Sequence, residues 1–170
     1  MPNTYAQIYI QIVFAVEWRQ SLITAEYRAE VQKYITGIVR NKNQKLIEIN
    51  CMPDHLHMLI GMEPNIALPD LVREVKKSST AFINTKRLVR GRFNWQEGFG
   101  AFSYQHSSLD AVIKYIRNQQ THHRESTFKE EYMKLLRGFD IGFDARYVFD
   151  FPYELRESST NQTKHITPTG

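Results

Sequence analysis

A chain of 170 residues, 42% apolar and 24% charged, has the size and composition of one globular domain with its own core. Its apolar runs fall short of the roughly 18 residues a membrane span needs, and Met1–Thr4 begins no export signal, so a cytoplasmic protein with no membrane partner is expected. A net charge of +4 permits an anionic partner without demanding one, and the single Cys51 excludes an internal disulfide framework.

Tyr5 to Val16 alternates between two faces and is rich in aromatic and β-branched residues, so it reads as a first strand. Thr24 offers an N-cap, and Tyr27, Val31, Tyr34, Ile35 and Ile38 follow at helical spacing to about Asn41. Lys45 to Met52 reads as a second strand, turned by Pro53-Asp54 into a third that carries His55 and His57. Cys51, beside that turn, is expected to be a buried structural thiol. Leu68, Leu71, Val72, Val75, Phe82 and Ile83 mark one face of a second helix. Arg73, Lys76, Lys77 and Arg87 cluster on its opposite face, either as solvated surface or as a stripe for phosphates.

The aromatic, glycine-punctuated stretch Phe93–Gly100 leads into a short fourth strand, Ala101 to Gln105. Trp95 is expected to plug the end of the sheet, although exposed aromatics there could also stack on bases. Ser107 or Ser108 caps a third helix, whose apolar stripe is Leu109, Val112, Ile113 and Ile116 and which carries on through His123. Thr127 to Arg137 supports a fourth helix, closed by Gly138. Residues 153–170 turn to Ser, Thr, Asn and Gln and are expected to form a disordered tail. The order predicts an α+β, ferredoxin-like (RRM-like) antiparallel sheet, β-α-β-β-α-β with additional C-terminal helices, in one domain over residues 1–152.

Side chains alternate along a strand, so His55 and His57 leave on one face, with Leu56 and Met58 on the other. Two imidazoles so placed can hold one metal ion, but taken alone the pattern is more often a polar pair on a half-exposed strand. In the third helix Tyr115, Gln119 and His122 fall at i, i+4 and i+7, on a face bordering the apolar stripe. A tyrosine, an amide and an imidazole lined up beside a core have the character of a site edge.

Together Pro53-Asp54-His55-Leu56-His57, Trp95-Gln96-x-Gly98-Phe99-Gly100-Ala101-Phe102-Ser103 and Tyr115-Ile116-x-x-Gln119-x-x-His122-His123 resemble the single-tyrosine HUH transposases of single-stranded, IS200-like insertion sequences. The resemblance runs over roughly residues 5 to 150. It implies that His55, His57 and Gln119 ligate a divalent metal, Mg²⁺ or Mn²⁺, and that Tyr115 is the nucleophile. It further implies single-stranded DNA with hairpin ends as substrate, a covalent 5′-phosphotyrosine intermediate, and a homodimer in which the His pair of one subunit meets the tyrosine helix of the other. Arg73, Lys76, Lys77 and Arg87 would contact DNA. Two alternatives stand beside this reading. One is a non-catalytic nucleic-acid-binding module on the same fold. The other is a zinc hydrolase using His55, His57 and His122 or His123, which ranks last because Asp54 is expected on the other strand face and no other carboxylate lies near.

Overall fold

A computed structural model gives the structure over residues 3–144 and 148, so the tail expected at 153–170 lies outside the described residues. The strands are β1 (Tyr9–Ala15), β2 (Lys45–Cys51), β3 (His55–Gly61) and β4 (Gly100–Tyr104). The helices are α1 (Ala25–Asn41), α2 (Leu68–Lys86), α3 (Leu109–Arg117), α4 (Gln119–Glu125) and α5 (Phe128–Gly138). The sheet runs β2-β3-β1-β4 with every neighbouring pair antiparallel, the ferredoxin-like order that the sequence predicts.

The strand alternation sorts side chains into two cores. Ile12 and Phe14 of β1, with Leu56, Met58 and Ile60 of β3, pack against Val31, Ile35 and Val39 of α1 and Leu71, Val72 and Val75 of α2. The other face carries Gln11, Val13 and Ala15 of β1 and His55, His57 and Leu59 of β3, and all six are buried. α3 covers part of it, with Val112 and Ile116 on Leu59. α5 covers the rest, with Phe128 and Leu136 on Val13, Ala15 and Phe102. The helices that follow β4 thus enclose the histidine face in a third layer.

The Pro53-Asp54 turn is fixed from outside as well as within. Met52 N–H donates to His55 O (2.8 Å), Val16 N–H to Asp54 O (2.8 Å) and Ile23 N–H to Pro53 O (3.0 Å). Such pinning matters because a one-residue slip would send both histidines to the opposite face. Cys51 is fully buried, its backbone N–H donates to Gln32 Oε1 of α1 (2.8 Å), and burial pushes its thiol up to about 12. It is structural, as expected.

Trp95 closes the end of the sheet. Its ring packs edge-on against Phe14 and Phe93, and its indole N–H donates to Ser79 Oγ of α2 at 2.8 Å.

Two expectations need correction. The first strand begins at Tyr9 rather than Tyr5, because its partner β3 ends at Gly61 and leaves residues 5–7 exposed beyond the ladder. The third helix does not run unbroken to His123 either. Asn118, at φ −90° and ψ 18°, ends α3 and lets the chain restart as α4. Among the described residues no helix is long and apolar enough to cross a membrane.

Candidate active site

His55 and His57 are both fully buried on the face of β3 that α3, α4 and α5 cover. Each ring is held by a different kind of neighbour. His55 Nδ1 lies 2.7 Å from Asp54 Oδ1, and a carboxylate there accepts the Nδ1 proton and leaves Nε2 facing the centre. Asp54 therefore turns toward the histidines, contrary to expectation, because it belongs to the turn and not to the alternating strand. Burial depresses the His55 pKa to about 4, so the ring is neutral at physiological pH. His57 Nδ1 accepts from the amide of Gln11 (2.9 Å), and its Nε2 meets Glu131 Oε1 at 2.7 Å.

Glu131 is the group that the sequence reading missed. It projects from α5, with only 6% of its surface exposed, into the same space as the two imidazoles. One donor atom from each of His55, His57 and Glu131 fits within a 4.8 Å span. Burial alone would raise its pKa, but the hydrogen bond from His57 brings it down to about 2, so it is ionised. The zinc-hydrolase alternative had ranked last for want of a carboxylate, and that objection falls. A signal was present: α5 opens with a capping box between Thr127 and Glu130, and its inward stripe then reads Phe128, Glu131, Leu136. An acid at a stripe position is a buried charge in need of a partner.

Tyr115 and Gln119 both reach this cluster. The Tyr115 ring lies edge-on to His57 at 6.0 Å, and its hydroxyl hydrogen-bonds to Glu131. Burial and then the Glu131 charge push its pKa above that of an ordinary phenol. Gln119 is fully buried, and with its amide nitrogen toward the acceptors it donates to both Glu131 oxygens at 3.3 Å. His123 also joins, with Nε2 at 3.1 Å from His55 Nε2 and 3.4 Å from Glu131 Oε2. The expected face of Tyr115, Gln119 and His122 presumes a continuous helix, and the break at Asn118 instead delivers His123. The His122 side chain lies outside what the structure describes. Phe128 stacks flat on His55 at 3.8 Å and seals that side of the cluster.

The basic set lies elsewhere. α2 packs on the opposite sheet face, so the sheet separates Arg73, Lys77 and Arg87, all exposed, from the histidines. Arg73 pairs with Asp70 at 2.8 Å. Lys76 is half-buried, lies over the Phe14 ring, and donates to the carbonyls of Gln96 (2.7 Å) and Gly98.

The donors fit a divalent cation. A neutral imidazole, an ionised carboxylate and an amide offer nitrogen and oxygen ligands, which suit Mn²⁺ by softness and Mg²⁺ by charge.

A four-stranded antiparallel sheet thus gathers His-x-His, a tyrosine and a glutamine on its covered face. Residues 4–119 match the family described as transposase IS200 like, and the chain belongs to that family. It is similar to the ISDra2 transposase TnpA of Deinococcus radiodurans, 23% identical over 118 residues that cover 66% of this chain and 84% of that one. It is 27% identical over 93 residues to the transposase for insertion sequence element IS200 of Salmonella typhimurium, covering 52% of this chain and 61% of the relative. Among solved structures, a REP-associated tyrosine transposase bound to a REP hairpin shares the fold with a TM-score of 0.55 at 18% identity, over 89% of this chain and 93% of that one. A candidate transposase from Deinococcus radiodurans R1 shares it with a TM-score of 0.54 at 21% identity, over 70% and 95%.

Proposed function

We propose that this transposase cleaves and rejoins single-stranded DNA at insertion-sequence ends through a covalent 5′-phosphotyrosine at Tyr115. Membership of the IS200-like family supplies the class of reaction. The single observation that carries the mechanism is the convergence of Tyr115 and Glu131 on the His55–His57 pair within one chain.

In this reading His55, His57 and Glu131 or Gln119 hold the divalent cation. When bound, the cation stabilises the charge that builds on the scissile phosphate. Tyr115 Oη attacks the phosphorus, its proton passes to Glu131, and the bond from phosphorus to the 3′ oxygen breaks, the departing oxygen taking a proton from solvent to leave as a 3′-hydroxyl. One phosphodiester replaces another, so the later attack of a 3′-hydroxyl on the link reverses the reaction without an energy source. Burial and then the Glu131 charge raise the Tyr115 pKa, so the hydroxyl enters the reaction protonated. Glu131, already in hydrogen-bond contact with that hydroxyl, is the acceptor for its proton.

The hairpin bound to the REP-associated neighbour supports hairpin-bearing single strands as the substrate here. Arg73, Lys77 and Arg87 would contact phosphates of the stem on the far side of the sheet, and Lys76 would act through the loop it anchors. In the homodimer that the resemblance implies, the His pair of one subunit meets the tyrosine helix of the other, and the contact of Tyr115 with His57 seen within one chain is the same pairing.

Hairpin-bearing single-stranded DNA incubated with Mn²⁺ should give a protein–DNA adduct on a denaturing gel, lost when the metal is chelated. Tight DNA binding with neither adduct nor cleavage would favour the non-catalytic module instead.

A further inference from the structure

His55 and His57 are held in opposite tautomers. Asp54 takes the Nδ1 proton of His55 at 2.7 Å and leaves Nε2 bare toward the centre, as a metal ligand requires. For His57 the polarity is reversed. Gln11 Nε2 donates to Nδ1 at 2.9 Å, while Gln11 Oε1 accepts from the Tyr104 hydroxyl at 2.8 Å. With Nδ1 accepting, the His57 ring proton is on Nε2, where it donates to Glu131 Oε1 at 2.7 Å. The chain Tyr104 to Gln11 to His57 to Glu131 thus runs in one direction, and it closes the His57 nitrogen that faces the centre. Gln11 and His57 have no exposed surface, so no water competes for these contacts.

An amide and a hydroxyl can both reverse. If the Gln11 amide turns over, its oxygen accepts from Nδ1–H and its nitrogen donates to Tyr104 Oη, which accepts as readily as it donates. The ring then loses a proton at Nε2 and gains one at Nδ1, exchanged through Glu131 and solvent, with its charge unchanged. Gln11, Tyr104 and Nδ1 stay paired in both arrangements, but the bare Nε2 then faces the ionised Glu131 Oε1 as a second acceptor, so the turned-over state is favoured only when a cation lies between them.

We propose that Gln11, backed by Tyr104, is a positioning residue that selects the His57 tautomer and turns over when a divalent cation is loaded. The proposal rests on the metal-centre reading above, and its test separates the two. Histidine-ring ¹⁵N NMR on the wild-type chain, first without metal, should find His55 protonated at Nδ1 and His57 at Nε2. Added Mg²⁺ should move the His57 proton to Nδ1 and leave His55 as it was. A metal-free His57 already protonated at Nδ1 overturns the Gln11 assignment whatever the metal does. Rings indifferent to Mg²⁺ overturn the turnover and the metal centre together.

A pair of variants adds an independent readout, Mn²⁺ affinity by electron paramagnetic resonance. Gln11→Leu, which offers Nδ1 no acceptor, should weaken affinity roughly 10- to 100-fold. Gln11→Glu keeps an acceptor and should restore most of it. Equal losses in both would reduce Gln11 to a packing residue.

Discussion

Glu131 has two oxygens with about four lone-pair sites, and four donors crowd them: His57 Nε2, the Tyr115 hydroxyl, the Gln119 amide and, at 3.4 Å, His123 Nε2. Neutralising it tests whether that crowding is chemistry. Glu131→Gln keeps the volume and a hydrogen-bonding oxygen but removes the proton acceptor. Adduct formation should slow by about 100-fold or more, the range of a lost general base, while the circular dichroism spectrum stays native. An unchanged rate would assign Glu131 to structure. The sequence made His55 and His57 legible, since a period of two needs only neighbours along one strand. Glu131 was hidden for the opposite reason: its partners are far along the chain, and only the docking of α5 brings them together. Asp54 was misread because alternation was extended one residue too far, into the turn.

At the level of elements, the position of α5 sets the distance from Glu131 to the histidines. Gly100 is where that position is decided. A Cβ built there would meet Cε2 and the hydroxyl of Tyr132 at 2.8 Å, so the α5 ring lies directly on the β4 backbone. Gly100→Ala should push Tyr132 and its helix away, costing about 1–3 kcal/mol of stability by overpacking and weakening Mn²⁺ affinity in step. Thermal denaturation and a metal titration on the same variant read both, and full stability with native affinity would show that α5 is free to yield. Strands and helices themselves were readable, because each carries an apolar period that matches the face it buries. The gap between α3 and α4 was not. Every residue from Leu109 to Glu125 tolerates a helix, and only Asn118, in a non-helical conformation, interrupts it.

On the scale of the whole molecule, the sheet divides the histidine site from the basic set. The histidine face lies under α3 to α5, and the α2 cations lie beyond α1 and α2 on the other side. A single strand engaged at Tyr115 and a hairpin stem held on α2 would have to pass around an edge of the sheet. Arg73→Ala with Lys77→Ala should then lower hairpin affinity and flatten the slope of log affinity against log salt by about one unit per lost phosphate contact. A slope equal to that of the wild type would return both residues to ordinary solvated surface. No helical wheel could have shown this separation, since a wheel gives the faces of one helix and not the layer that it joins.

Covalent linkage at Tyr115 is the claim from which the rest follows, and locating the link tests it most directly. The adduct formed with hairpin-bearing single-stranded DNA can be digested and the DNA-bearing peptide sequenced by mass spectrometry. The account predicts a 5′-phosphate on Tyr115 and loss of both adduct and cleavage in Tyr115→Phe, whose ring still packs against His57. A link at Tyr104, Tyr132 or any other residue, or cleavage retained by Tyr115→Phe, would contradict it.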